Sequence, residues 1–179
     1  MQRRLPNIPR HRLALAASVA LVLVVIPTNV YILAWRFVDL RRYDYPFFVE
    51  KDKIAAFSYL ESQVQSDDVV LSSLMLGQYV PALTGARAFL AHWAQTLDFY
   101  GKEDMVKIFF TDTTTDADRL NILTTYSVDY VIASDLELGL DEAKTNGGYD
   151  PAASPFLTEV FREGQTVVYQ VNSDAVLRR

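Results

Sequence analysis

Hydrophobic positions follow two regimes along the chain. From residue 13 to residue 35 the run LALAASVALVLVVIPTNVYILAW carries no charged side chain. At ~1.5 Å of rise per residue such a run spans the ~30 Å hydrocarbon core of a bilayer as a helix. Beyond it the apolar residues become periodic. In residues 50–66, EKDKIAAFSYLESQVQS, the side chains Ile54, Phe57, Leu60 and Val64 recur at helical spacing. Residues 69–71 (VVL) read as a short buried strand, and LMLGQYVPALTG as a short helix that Pro81 limits to a few turns or breaks and that Gly85 stops. Residues 88–91 (AFLA) read as a second strand. A helix is predicted from about Thr96 to Phe110, with Gly101 as a breaker. Thr115, with Asp118 three positions on, marks the N-cap of another helix carrying Leu120 and Leu123 on one face. Residues 129–134 form the third strand. Residues 141–155 form a breaker-rich loop, and 157–162 with 166–171 form a hairpin turning at Glu163-Gly164-Gln165.

Strands alternating with helices argue for a parallel core, because parallel neighbours need crossovers. The predicted fold is α/β: one N-terminal transmembrane helix, then a small three-layer domain with three parallel strands in order 2-1-3 and a C-terminal β-hairpin at one side. The organisation follows as a basic cytoplasmic flank (1–12), the transmembrane helix (13–35), a juxtamembrane connector (36–49), the soluble domain (50–172) and a tail (173–179).

The flanks of the apolar run bear on its placement. Arg3, Arg4, Arg10 and Arg12 precede it, and Arg36, Arg41 and Arg42 follow. The excess of one arginine puts the N-terminus in the cytoplasm and the domain outside it, at the cell membrane. Tyr31 and Trp35 suit the interface at the far edge. Pro27 removes a backbone donor, and Asn29 is costly against lipid. These two residues fit either a single-pass anchor that tolerates one proline or a helix packed among others. A cleaved signal peptide fits less well, because the run is long and no small-x-small site ends it before Arg36.

Charge sharpens the division. Residues 1–53 hold nine Lys/Arg against four Asp/Glu, and residues 54–179 hold eight against eighteen, giving +5 and −10 within a total of −5. A basic membrane segment thus precedes an acidic body, which argues against a nucleic-acid partner. Without cysteine, disulfide scaffolds, thiolate metal sites and cysteine nucleophiles are excluded. Asp112, Asp116 and Asp118 lack the glycine and closing glutamate of a calcium loop. No metal or cofactor is predicted, and no dinucleotide or P-loop motif is present.

In open parallel sheets, ligands bind beyond the carboxyl ends of the strands. Those ends carry Ser72-Ser73, His92-Trp93 and Ser134-Asp135. Polar residues there also serve loops and helix starts. His92 is the one histidine outside the N-terminal flank, and the Trp93 face suits a sugar ring or a cation. A hydrolase using Ser72 or Ser73 with His92 and Asp98 is conceivable, but no G-x-S-x-G elbow follows the first strand.

Together, DDVVLSSLMLGQYVPALTGARAFLAHWAQTLDFYGK, the following FF, ILTTYSVDYVIAS and VFREGQTVVYQV resemble the C-terminal part of bacterial multi-pass membrane glycosyltransferases of the GT-C superfamily. These are relatives of the dolichyl- or undecaprenyl-phosphate-sugar transferases. A Gly-His-Trp-x-x-Thr-like element of that pattern falls on Ala91, His92, Trp93 and Thr96, with Ala91 in place of glycine. The resemblance covers roughly residues 27–171. It implies a last transmembrane helix followed by an extracytoplasmic α/β domain. It also implies that the catalytic carboxylate lies in an early loop between other membrane helices. The chain then corresponds to a terminal piece that is not catalytic alone. It would cap the membrane site and help bind acceptor or sugar phosphate, with Ser72, Ser73, His92, Trp93, Thr96, Ser134 and Asp135 as candidate contacts. Expected partners are the bilayer, further transmembrane helices and a glycan or lipid-phosphate sugar. The alternative is a stand-alone single-pass protein whose α/β domain binds a ligand or protein.

Overall fold

The computed structural model describes residues 9–41, 48–134 and 149–172. The chain forms two compact units, Met1–Phe48 and Val49–Arg179.

The first unit is built on helix α1, Arg10–Asp39. It is long and apolar enough to cross a membrane, and its 30 residues give a length of ~45 Å. The helix runs through Pro27. Just past it, the Thr28 hydroxyl donates to the Val24 carbonyl and the Asn29 amide to the Val25 carbonyl, each at 2.8 Å. The polar pair predicted to need a neighbouring helix or the interface therefore meets part of its demand inside its own helix. Tyr31 and Trp35 stack one turn apart, with ring centres 6.4 Å apart.

The second unit is mixed α/β. Helix α2 (Lys51–Gln63) leads to β1 (Val69–Leu71), then α3 (Leu74–Gly77), α4 (Val80–Thr84) and β2 (Arg87–Ala88). Helices α5 (Phe99–Phe110) and α6 (Asp116–Thr125) precede β3 (Tyr130–Ala133). A 3-10 turn (Pro151–Ala153) leads into the hairpin β4 (Leu157–Glu163) and β5 (Thr166–Val171). The strands form one five-stranded mixed sheet in the order β2-β1-β3-β5-β4. β1 is parallel to β2 and β3, and β5 is antiparallel to β3. The parallel part keeps the expected order 2-1-3, but the sheet does not stop at three strands: the hairpin continues it through β5 into one five-stranded mixed sheet. β5 covers the backbone edge that β3 would otherwise leave unpaired.

The period of two along the strands sends side chains to two cores. Val70, Tyr130, Ile132 and Val168 face Phe57 and Leu60 of α2, together with Leu76 and Val80. Val69, Leu71, Val131, Ala133, Val167 and Tyr169 face Val106 and Phe109 of α5 and Ile122 and Leu123 of α6. Helices therefore cover both sheet faces.

Three boundaries differ from the sequence expectation. β2 stops at Ala88, because Phe89 and Leu90 both enter the same core, which consecutive strand residues cannot do. The segment 74–85 is two helices rather than one. Pro81 sits in the first turn of α4, where its missing N–H costs nothing, and Gly85 ends that helix in the left-handed region at φ 77°. Gly101 does not break α5 but lies in its first turn. A side chain there would overlap the carboxylate of Asp98, the residue at φ 52° that precedes the helix.

Candidate functional site

Because β1, β2 and β3 run parallel, their carboxyl ends share one sheet edge. Ser72-Ser73 follow β1, Ser134 follows β3, and the chain after β2 leads through residues 89–91 to His92. Asp135 lies outside the described residues.

The β1 end is closed. Ser72 is fully buried, and its hydroxyl donates to the Ser73 carbonyl at 3.3 Å. Ser73 is the N-cap of α3: its hydroxyl accepts from the Leu76 N–H at 3.3 Å, and its carbonyl accepts from the Gly77 N–H at 2.9 Å. These bonds answer donors and acceptors that a helix start leaves unmet. Gly77 sits against the next loop. A methyl group there would overlap the Leu90 carbonyl and stand 3.5 Å from the Ser72 hydroxyl. Ser134 is also fully buried.

The loop between β2 and α5 is open. Its backbone is tied down from within: the Gln95 and Thr96 N–H groups donate to the His92 carbonyl at 2.9 and 3.1 Å. The Thr96 hydroxyl accepts from the Ala91 N–H at 3.1 Å. His92 Nδ1 accepts from the Ala94 N–H at 3.3 Å. The neutral ring then carries its proton on Nε2, which is left as a donor. The His92 and Trp93 rings lie 5.7 Å apart, tilted by 35°, and Trp93 is 69% exposed. A ligand approaching from solvent meets His92 and Trp93. Ser72 and Ser134 are closed off from solvent.

Two further exposed side chains, one in this loop and one in the first turn of α5, escaped the sequence reading. Leu97 is 87% exposed and Tyr100 77%. Starting the helix at Thr96 placed Leu97 inside it, whereas Leu97 precedes the helix and Tyr100 lies in its first turn. The left-handed backbone of Asp98, which shifts the start to Phe99, has no strong sequence signal.

Charge is distributed unevenly nearby. The Lys102 amine lies over the Phe89 ring at 5.0 Å and the Tyr126 ring at 5.5 Å. Burial, then the neighbouring Arg87, hold Lys102 below the ordinary lysine value, while Asp98 opposes the shift. Arg119, also missed by sequence reading, is buried and structural. It donates to the carbonyls of Phe109 at 2.9 Å and Thr111 at 2.5 Å, tying α6 to the end of α5. At the opposite end of β1, Asp129 accepts from the Val69 N–H at 2.8 Å. Burial raises its pKa against that bond, and Asp68 and Asp67 raise it further. Asp118 caps α6 with Thr115, and Asp116 pairs with Arg119. Among the described residues no three His, Asp or Glu side chains gather as a metal site.

No curated protein matches the chain. The crystal structure of the C-terminal globular domain of an oligosaccharyltransferase from Archaeoglobus fulgidus matches with a TM-score of 0.52 at 14% identity. The match covers 69% of this chain and 99% of that one. The likeness shows a shared fold. A sequence model of DUF6541, described as a family of unknown function, matches residues 1–173, and the chain belongs to that family.

Proposed function

We propose that this chain is a membrane-anchored, extracytoplasmic domain of the bacterial GT-C glycosyltransferase type. It would not be catalytic alone, and would hold an acceptor or a lipid-phosphate sugar beside a membrane-embedded site. The observation that carries the reading is the pairing of α1 with a body that has the fold of an oligosaccharyltransferase C-terminal globular domain. The family match runs continuously through both parts, which supports α1 as a retained anchor. The N-terminal arginine excess supports a cytoplasmic N-terminus.

The contacts of this reading narrow to the open loop. The Trp93 face offers a stacking surface for a sugar ring, and His92 Nε2 offers a donor to a hydroxyl or phosphate oxygen. Ser72, Ser73 and Ser134 serve the edge that holds this loop. The test is native mass spectrometry of the full chain in nanodiscs with a panel of polyprenyl-phosphate-linked sugars. The expected result is a bound adduct with at least one member, weakened in Trp93→Ala. Absence of adducts across the panel, or equal adducts in wild type and variant, overturns the reading.

A further inference from the structure

We infer that the loop between β2 and α5, with the first turn of that helix, is a membrane-interface contact, with Trp93 and Tyr100 at the level of the lipid headgroups, where a lipid-linked sugar also lies, and Leu97 in the upper acyl chains. The inference deepens the anchor reading above and rests on it.

Three observations carry it. First, the most exposed large apolar side chains among the described residues of the domain gather here; elsewhere in it Ile54, Met75, Leu83 and Ile108 reach at most 48%. Trp93, Leu97 and Tyr100 are 69%, 87% and 77% exposed within eight residues, whereas neighbouring Phe89 and Leu90 are each 1% exposed. Second, the loop is built. The bonds onto the His92 carbonyl, the Thr96 hydroxyl bond and the left-handed Asp98 accommodated by Gly101 fix its backbone. Phe99 backs Tyr100 edge-on with ring centres 5.3 Å apart. Third, the chain's own anchor brings a bilayer close. Eleven residues separate the end of α1 from the start of α2, a tether of at most ~40 Å at ~3.6 Å per residue. A domain of this size has a radius of gyration of about 14 Å. The tether keeps the domain surface within reach of the membrane, and the loop's chemistry selects the part that meets it. Tryptophan and tyrosine favour the headgroup level, and leucine favours the acyl chains. The body's charge of −10 over residues 54–179 argues for apolar insertion over attraction to anionic lipid.

The chain has two tryptophans, which makes the test direct. Trp35→Phe leaves Trp93 as sole reporter, and Trp93→Phe leaves Trp35. Each full-length variant is reconstituted in phosphatidylcholine vesicles, with plain or acyl-brominated lipid, and probed with aqueous acrylamide. The expected result is blue-shifted Trp93 emission that brominated lipid quenches. Tyr100→Trp, placed in a chain lacking both native tryptophans, gives a second reporter with the same expectation. Water-like emission from Trp93, quenched by acrylamide and indifferent to bromine, overturns the inference. So does Trp93 shielded from both quenchers, which would assign the loop to a protein partner. If Trp35 is quenched by bromine and Trp93 is not, the interface contact fails while the anchor stands. If neither is quenched, the anchor reading fails and takes the inference with it.

Discussion

Two segments leave the same sheet edge from adjacent parallel strands, and they use their residues in opposite ways. Residues 72–85, after β1, fold into two short helices. Their polar groups are consumed locally: Ser72 is buried, Ser73 caps α3, and the Thr84 hydroxyl donates to the Val80 carbonyl at 2.7 Å. Residues 91–100, after β2, spend their polar groups on holding a turn and leave Trp93, Leu97 and Tyr100 in solvent. Burying a large apolar side chain is worth about 1.5–3 kcal/mol, so a fixed loop that forgoes this three times is arranged for contact. A polar residue at a strand end is therefore weak grounds for a site until its partners are known. An exposed aromatic on a fixed backbone is stronger.

The most severe way to break this contrast is at the seam between the segments. Gly77→Ala forces a methyl group onto the Leu90 carbonyl. Overpacking against backbone is expected to cost about 3 kcal/mol, read as a lower urea midpoint. A loss under 0.5 kcal/mol, far below the usual overpacking range, would mean that the two segments do not meet as described. Thr96→Val removes the acceptor for the Ala91 N–H and is expected to cost about 1 kcal/mol. Faster amide exchange should be confined to residues 91–98. Exchange that quickens equally in residues 72–85 would mean that this bond holds more than its own loop.

The packed body also carries a pH-sensitive tie. Asp52 of α2 accepts from the Thr166 hydroxyl at 2.9 Å and the Gln165 N–H at 3.2 Å, joining that helix to the hairpin turn. Burial works against its ionised form, but these bonds and the adjacent Lys53 outweigh it and hold Asp52 below the ordinary aspartate value. A depressed acid stabilises the fold above its unfolded pKa and loses that contribution as pH falls through the folded one. The stability advantage of wild type over Asp52→Asn should therefore shrink as the solution is taken below about pH 4. An advantage that grows on acidification would reverse the assigned sign. The smallest stability effect belongs to Trp93→Ala, expected within about 0.5 kcal/mol of wild type because the side chain packs little. A larger loss would make Trp93 a core residue and weaken its role in contact.

The sequence was informative where a single periodicity operates. The apolar run marked α1, the i, i+3 spacing of Phe57 and Leu60 marked α2, although Ile54 of the same series is exposed, and the glycine of the turn located the hairpin. The Thr115–Asp118 cap was also legible, because its partners are three residues apart. Features set by distant partners were not legible. Phe89 and Leu90 look like strand residues until both are seen to enter one core. Gly101 looks like a breaker until Asp98 is seen to fold over it. Arg119 reads as a surface helix residue, yet it is buried on the carbonyls that end α5. For the candidate site, residue types at strand ends named His92 and Trp93, and the family resemblance added Thr96, but only three-dimensional burial separated the open loop from Ser72 and Ser134.

The most direct measurement sets the two segments against each other. Binding of a polyprenyl-phosphate-linked sugar to the full chain in nanodiscs is compared among wild type, Ser72→Ala and a His92→Ala/Trp93→Ala double variant. Folding of each is checked by circular dichroism. The account predicts retained affinity in the serine variant and at least a tenfold loss, on the order of 1.4 kcal/mol, in the loop variant. Equal losses in both, or full affinity in the loop variant, would contradict it.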